Sequence, residues 1–440
     1  MKKVAMTYRL LISAAVALGL GASAAAAAWQ SQPIEPIAIP PSVDQGVDMV
    51  YIDRELNADL RLRNQAIEQG AFGNYGGVPF DLLETVNPMF TDLRRGLVRY
   101  QMDWGNLPQF PLPEGPALKL GAEGERVAML RERLGLGFGT RFDQPLAARV
   151  TRYQQVHGLK PDGIVGNAMI ASLNRGFEHY ERVMMINMER ARRLPAPGEA
   201  RRYIVVDAGS ARLFLYENDR MVDSMRAVVG TPETETPMMA ALMRFASVNP
   251  YWNVPPELNS KIVAPAVLKQ GLGYLTERKY EAFAGWSEQA PQLDPAKIDW
   301  QGVRDGTVEV RLRRRPGPGN SMGDIKFMMP NDFGIYLHDT HDKSVFEKDD
   351  RWISNGCVRV EDAHRLATWL FGAMPVGRDP DVEERVDLPE PVPVFMTYLT
   401  AAATRDGVVF RADPYNRDPS VLARYFGEPA QMAQVERIDD

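Results

Sequence analysis

The chain of 440 residues contains one cysteine and five scattered histidines. Structural zinc sites need four closely spaced ligands of these types, so no metal site is predicted, and no residue pattern calls for a cofactor. A single cysteine also excludes a framework of disulfide bonds. Basic residues are not in excess, since the formal net charge is -6. That balance disfavours nucleic acid as a partner.

Long apolar runs are missing except at the beginning of the chain. Lys2, Lys3 and Arg9 are followed by the apolar stretch 10–20 and by alanines up to Ala28. This is the pattern of a signal peptide, predicted here for residues 1–28. The alternative is an uncleaved anchor, although the apolar stretch is short for a spanning helix. Removal of the segment would leave a net charge near -9, and membrane contact is expected only if the segment stays uncleaved.

The lone Cys357 permits two interpretations in an exported protein. It is either a buried side chain that packs as a small apolar group or a reactive thiol without a disulfide partner. The count of cysteines alone favours the inert residue.

Helical and turn-rich segments alternate in the first part of the chain. Residues 29–116 are predicted to form a partly helical scaffold, with helix-forming sequence at 51–56 and helical spacing of apolar residues at 82–102. A connecting helix is predicted within residues 175–200. His157 precedes a glycine at a helix end and is expected to interact with the helix dipole rather than with a ligand.

Residues 117–174 carry a distinctive pattern of three helices. The middle of it reads Ala148-Arg149-Val150-Thr151-Arg152-Tyr153-Gln154-Gln155-Val156-His157-Gly158-Leu159, followed by Asp162-Gly163. This resembles the small three-helix peptidoglycan-binding domain. The resemblance implies glycan as a partner, and a helical bundle without ligand is the alternative.

Short β-type runs begin at residue 201 and indicate a mostly β domain over 201–400. Residues 256–310 interrupt it with helical, Pro- and Gly-punctuated sequence and are predicted to be an inserted lid. Residues 401–440 are predicted to be a C-terminal extension. The fold class expected is therefore α+β and multidomain, with a helical N-terminal part before the β domain.

The chemistry is predicted at His338 and at the sequence Ser354-Asn355-Gly356-Cys357-Val358-Arg359. A cysteine nucleophile needs a base or a lowered pKa because the thiolate is the reactive form, and His338 is the candidate base. Gly356 allows a tight turn before Cys357. The backbone N–H of Cys357 is then a candidate donor to the oxyanion of a tetrahedral intermediate, and such a donor contributes about 3 kcal/mol.

These residues resemble the signature of L,D-transpeptidases, in which a histidine is followed after 15 to 18 residues by Ser or Thr, then His-Gly-Cys. Fifteen residues separate His338 from Ser354. Asn355 stands where the family signature has its second histidine. Altered polarity of the site is expected from that change. The segments 249–256, 316–320 and 326–331 resemble the large Gram-negative members, which carry a peptidoglycan-binding-like domain and a capping insertion.

The resemblance implies a periplasmic enzyme that acts on peptidoglycan stem peptides. Cys357 attacks a tetrapeptide donor stem, releases D-Ala and forms a thioester, which the amine of a second stem resolves to a 3→3 cross-link. Other acceptors stay open: water, a D-amino acid or a protein lysine. The rivals are an L,D-carboxypeptidase or endopeptidase on the same site and a non-catalytic peptidoglycan-binding protein. Other cell-wall enzymes are candidate partners.

Further residues receive roles from the resemblance or from their position. The main chain of Asp339 is implied to orient His338, and Tyr336 and Gly356 are candidates for oxyanion contact or orientation. Candidate substrate contacts follow in the sequence: Arg359, Ser354, Asn355 and Trp252. The alternatives are strand packing for Tyr336, an ion pair of Arg359 with Asp339 or Glu361, and core packing for Trp252.

Overall fold

The computed structural model describes residues 49–53, 56, 86–287, 289–405 and 407–427. The predicted signal segment 1–28 and most of the predicted scaffold 29–116 lie outside the described residues. The chain divides into two compact units. The described part of the larger unit comprises 49–53, 56, 86–248, 325–376 and 385–427, and that of the smaller unit comprises 249–324 and 377–384, apart from residue 288.

Among the described residues, four helices precede the β-rich part of the larger unit: α1 (Pro88–Trp104), α2 (Glu125–Arg133), α3 (Gln144–Val156) and α4 (Asn167–Arg192). The Asn87 side chain accepts a hydrogen bond from the Met89 N–H and so begins α1. The predicted third helix and the connecting helix form one element, α4, which changes direction at Gly176, where φ is 82°. Glycine adopts this left-handed conformation at little cost.

His157 follows α3 and is buried, and its Nδ1 donates to the Tyr153 carbonyl in the last turn of α3 at 2.8 Å, the helix-end contact predicted for it. Its ring stacks on Tyr153 at 3.7 Å, and one ring nitrogen lies 3.0 Å from the Tyr100 hydroxyl. Burial lowers the pKa of His157 to about 3. The imidazole is therefore uncharged at neutral pH and belongs to the core.

The sheet begins with five strands: β1 (Val50–Tyr51), β2 (Arg202–Asp207), β3 (Arg212–Glu217), β4 (Arg220–Gly230) and β5 (Met239–Val248). Asn218 and Asp219 turn the chain between β3 and β4 with φ of 46° and 64°. That geometry matches the twist of a two-residue hairpin. The helix expected at 51–56 is wrong at its start, because β1 pairs in parallel with β5 and tertiary pairing overrides local preference.

The smaller unit has its own sheet and core. Its elements are β6 (Trp252–Asn253), α5 (Pro256–Leu258), a π-helical turn (Asn259–Val263), α6 (Ala264–Gln270), α7 (Gly273–Glu277), β7 (Tyr280–Phe283), a 3-10 turn (Pro295–Lys297), α8 (Trp300–Asp305) and β8 (Arg311–Arg314). Strand β8 pairs with both β6 and β7. The unit thus extends beyond the predicted insertion 256–310, because β6 and β8, which lie just outside those limits, pair with each other.

The chain returns to the main sheet with β9 (Ile325–Met328), β10 (Leu337–His338), a 3-10 turn (Lys343–Glu347), β11 (Trp352–Ser354), β12 (Val358–Val360), α9 (Ala363–Phe371) and β13 (Glu384–Thr397). The strand order is β1-β5-β13-β2-β3-β4-β12-β10-β9, and β9 also pairs with β5. The sheet therefore closes on itself. The predicted α+β class, with a helical part before a mostly β domain, is confirmed.

The end of the described chain consists of β14 (Ala401–Thr404), β15 (Gly407–Phe410) and α10 (Asp418–Phe426). Val408, Phe410, Val421 and Leu422 are buried in the same apolar core as the four N-terminal helices. The predicted C-terminal extension is thus an integral part of the helical core. In the described part of the chain, no helix combines the length and the apolar character needed to cross a membrane.

Candidate active site

Strand register fixes the surroundings of His338. Strand β10 lies between β9 and β12, and His338 is directly opposite Lys326 on β9 and Arg359 on β12. Side chains opposite each other on neighbouring strands share one face of a sheet. The imidazole is therefore flanked by two cationic side chains.

The segment Ser354–Cys357, here called the nucleophile loop, connects β11 to β12. Gly356 has φ of 97°, in the left-handed region, and a Cβ there would lie 3.2 Å from Ile335 Cδ1. The Ser354 hydroxyl accepts a hydrogen bond from the Gly356 N–H at 3.2 Å and donates to the Cys357 carbonyl at 2.6 Å. One serine side chain thus holds both ends of the turn that presents the cysteine.

Cys357 is partly exposed, and its thiol donates to the Gly334 carbonyl at 3.7 Å. Burial raises the pKa of the Cys357 thiol to about 11. Hydrogen bonds to the sulfur from the Tyr336 amide and hydroxyl, and the positive charge of Arg359, act in the opposite direction. The desolvation of the sulfur is the larger effect, so Cys357 rests as a thiol at neutral pH.

His338 is 3% exposed, and its Nδ1 lies 2.6 Å from the Asp339 carbonyl oxygen. A carbonyl can only accept, so Nδ1 carries the proton and the lone pair is on Nε2. Burial, followed by the charge of Arg359, lowers the pKa of His338 to about 3. The imidazole is therefore neutral at physiological pH and able to take a proton at Nε2.

A neutral imidazole with its lone pair on Nε2 is in the protonation state that a general base needs. A neutral thiol has to lose its proton as the sulfur attacks, and His338 Nε2 is the candidate acceptor. Among the described residues, no acceptor is within hydrogen-bond distance of the Cys357 N–H. That donor is available for the oxyanion that forms when the sulfur attacks a carbonyl carbon.

Arg359 is not paired with either of the carboxylates considered from the sequence. Asp339 is bound by Lys343 at 2.6 Å, and Glu361 is bound by Arg226 at 2.6 Å. Within the described ranges, the buried Nε of Arg359 has no hydrogen-bond partner. The guanidinium thus has unused capacity for an anionic group.

The remaining predicted site residues divide by exposure. Asn355 is exposed at the tip of the nucleophile loop. Ser354 is 3% exposed with its hydroxyl engaged inside the loop, so the predicted substrate contact is replaced by a role in holding the turn. The N–H of Gly356 is likewise bound within the loop and does not serve an oxyanion. Trp252 packs against the core of the smaller unit.

Sequence reasoning missed Lys326, Thr236 and Tyr415. Lys326 lowers the pKa of both His338 and Cys357 through its charge. Thr236 donates a hydrogen bond to the Gly356 carbonyl, and Tyr415 binds the segment that carries Thr236. The strand-like run before His338 hinted at a sheet edge, but nothing in the sequence identified the strand beside it that carries Lys326.

Residues 201–382 match the family described as "L,D-transpeptidase catalytic domain". This segment is therefore similar to the catalytic domain of L,D-transpeptidases. Residues 123–173 match a second family, described as "Putative peptidoglycan binding domain", which covers α2, α3 and the beginning of α4. The L,D-transpeptidase signature and the three-helix pattern thus led to the families that match.

A protein of Haemophilus influenzae with the name "Putative L,D-transpeptidase" is 31% identical over 245 residues, which are 54% of this chain and 48% of that protein. The chain spans about half the length of this curated relative. An L,D-transpeptidase structure from Mycobacterium smegmatis shares 13% identity over 45% of this chain and 58% of the other, with a TM-score of 0.22. One from Stackebrandtia nassauensis shares 11% over 71% and 92%, with a TM-score of 0.21.

Proposed function

We propose that the protein is a periplasmic L,D-transpeptidase that forms 3→3 cross-links between peptidoglycan stem peptides. The observation that carries the proposal is the pair of Cys357 and His338 inside a segment similar to the catalytic domain of L,D-transpeptidases. His338 is buried and neutral, with Nδ1 fixed on the Asp339 carbonyl. Cys357, the single cysteine of the chain, is partly exposed.

The first half-reaction breaks one amide bond. The Cys357 sulfur attacks the carbonyl of the L-centre of meso-diaminopimelate in the donor tetrapeptide while His338 Nε2 takes the thiol proton. The Cys357 N–H donates to the oxyanion. The C–N bond to D-Ala then breaks, the departing amine receives the proton from His338, and a thioester is left on Cys357.

The second half-reaction restores the thiol. The side-chain amine of an acceptor stem attacks the thioester carbonyl, and His338 Nε2 accepts a proton from that amine. The C–S bond breaks, the proton passes to sulfur and the new amide is the cross-link. Water in place of the amine would give a tripeptide, so the acceptor decides between transpeptidase and carboxypeptidase.

Arg359 is proposed to bind a carboxylate of the stem peptide. Its Nε is without a partner among the described residues, and its charge lies on the face that carries His338. The chain 123–173 is proposed to hold the protein on peptidoglycan. The periplasmic location rests on the basic, apolar and alanine-rich order of residues 1–28.

The test is incubation of the mature protein with purified tetrapeptide muropeptides and mass analysis of the products. Dimers that lack one D-Ala are the expected outcome, and tripeptide monomers alone would identify a hydrolase instead. Cys357→Ala is expected to abolish both products. Full activity of that variant would overturn the mechanism.

Two further measurements separate chemistry from folding. His338→Gln is expected to reduce turnover by about 10²- to 10⁴-fold, the usual contribution of a general base. His179→Gln, on α4 outside the catalytic domain, is the matched control and is expected to keep activity. Imipenem, which is bound in one solved L,D-transpeptidase structure, is expected to add covalently to Cys357 and not to the alanine variant.

A further inference from the structure

The nucleophile loop accepts hydrogen bonds from the segment Gly230–Thr236, here called the 230–236 turn, which lies between β4 and β5. The Ser354 carbonyl accepts hydrogen bonds from the Thr231 N–H and the Thr234 hydroxyl, both at 3.0 Å. The Gly356 carbonyl accepts one from the Thr236 hydroxyl at 2.7 Å. Two of the loop's carbonyls are thus fixed from outside the loop.

The bond to Gly356 has a consequence for the next amide. In a planar trans peptide the C=O and the N–H point in opposite directions. Holding the Gly356 carbonyl on the buried Thr236 therefore turns the Cys357 N–H away from Thr236. Gly356 has no Cβ to restrict the rotation of this peptide, so the hydrogen bond from the Thr236 hydroxyl contributes to fixing the direction of the N–H.

The Thr236 hydroxyl has one available orientation. Its oxygen accepts a hydrogen bond from the Gly230 N–H at 3.0 Å, which leaves its single proton for the Gly356 carbonyl. Thr236 is 1% exposed, so water does not compete for that proton. A valine at this position would keep the shape and lose both bonds.

Tyr415 holds Thr236 and Gly230 together from the C-terminal segment. Its hydroxyl donates to the Gly230 carbonyl at 2.8 Å and accepts from the Thr236 N–H at 3.3 Å. The Tyr415 ring stacks on Tyr398 at 5.0 Å, and Arg417 pairs with Glu235 in the 230–236 turn at 2.8 Å. Tyr415 lies beyond residue 382, where the match to the catalytic domain ends.

We propose that Thr236 and Tyr415 are positioning residues that aim the Cys357 N–H at the oxyanion. The inference rests on the proposed function, because it assumes that the thiol attacks carbonyl carbons. Neither residue touches the reacting atoms. Both act on the direction of one amide through the Gly356 carbonyl.

The test compares two reactions of the same thiol. Acylation of Cys357 by p-nitrophenyl acetate passes through an oxyanion: sulfur bonds to the acetyl carbon, the proton goes to base and p-nitrophenolate leaves. Alkylation by iodoacetamide displaces iodide and forms no oxyanion. The ratio of the two rate constants therefore reports on the N–H donor and cancels changes in exposure or pKa of the sulfur.

Thr236→Val is expected to lower the ratio of acylation to alkylation by about 10- to 100-fold, a part of what a lost oxyanion donor costs. Thr236→Ser, which keeps the hydroxyl, is expected to stay within about 3-fold of the parent. Tyr415→Phe is expected to lower the ratio by about 3- to 10-fold. Thermal unfolding of each variant shows whether it has folded.

Thr397→Val is the matched control, since Thr397 is 1% exposed and its hydroxyl has no partner among the described residues. It is expected to leave the ratio unchanged. An unchanged ratio in both Thr236→Val and Tyr415→Phe would overturn the inference. Failure of the parent protein on muropeptides would overturn the proposed function instead, because the two small reagents do not depend on peptidoglycan.

Discussion

The resting state of Cys357 leads to a quantitative prediction about its alkylation by iodoacetamide. With a pKa of about 11, the thiolate fraction at pH 7 is about 10⁻⁴, against about 3% for an ordinary cysteine. The more basic thiolate is intrinsically a better nucleophile by roughly 10-fold. Alkylation of free enzyme at pH 7 is therefore expected to be about 30-fold slower than that of an unhindered cysteine.

The pH dependence of alkylation tests the protonation state of Cys357 more directly than the rate at pH 7 does. The alkylation rate constant is expected to keep rising through pH 9 and to level off near pH 11. His338→Gln is expected to leave that profile nearly in place, because a neutral imidazole does not stabilise a thiolate. A plateau below pH 8.5 that disappears in His338→Gln would show a thiolate–imidazolium pair and refute the reasoning.

Three other changes test the site and the fold. The pKa values of His338 and His157 are depressed to about 3, so below pH 6.5 the unfolded chain binds more protons than the folded chain. As the pH falls from 6 to 3, each histidine should therefore lower the free energy of unfolding by about 1.4 kcal/mol per pH unit. His157→Gln should reduce that slope in urea titrations by about half of the histidine contribution. Gly356→Ala should cost about 1–3 kcal/mol in the loop and reduce turnover at least about 10-fold in a folded protein. Arg359→Gln removes a positive charge beside His338, so it should raise the pKa of His338 and shift the acid limb of kcat/KM upward by about 1–2 pH units. It should also raise KM, because the proposed carboxylate contact is lost.

Each of these expectations has an outcome that contradicts it. An unchanged pH slope in His157→Gln would mean that the imidazole titrates as in the unfolded chain. Full turnover in Gly356→Ala would show that the loop does not need its left-handed glycine. An acid limb of kcat/KM that stays in place in Arg359→Gln would remove the electrostatic coupling across β10 and β12.

The sequence predicted the parts of the site that are close together along the chain. Fifteen residues separate His338 from Ser354, and a glycine precedes the cysteine, so spacing and turn chemistry are visible in one short stretch. Thr236 is different, because it reaches Gly356 across 120 positions and sits in no recognisable pattern. Hydrogen bonds of this range follow from the closed sheet and leave no periodicity in the sequence.

Long-range contacts also explain why some predictions about the fold were wrong. Residues 50–51 have no local preference strong enough to resist pairing with β5, which only the folded chain supplies. Val408 and Phe410 are apolar at strand spacing, yet their burial among the helices depends on contacts with distant residues. The position of His157 at a helix end was visible in the sequence, whereas the aromatic rings that bury it were not.

Strand β13 lies between β5 and β2 in the closed sheet, although it is made more than 130 residues after β5 begins. A nascent chain that has reached only residue 382 therefore has a gap in the middle of its sheet. Pairings of this sequence separation form late, since loop closure must precede them. Closure of the sheet therefore depends on residues 384–397, so we expect it among the last steps of folding, after β2, β3 and β4 have paired.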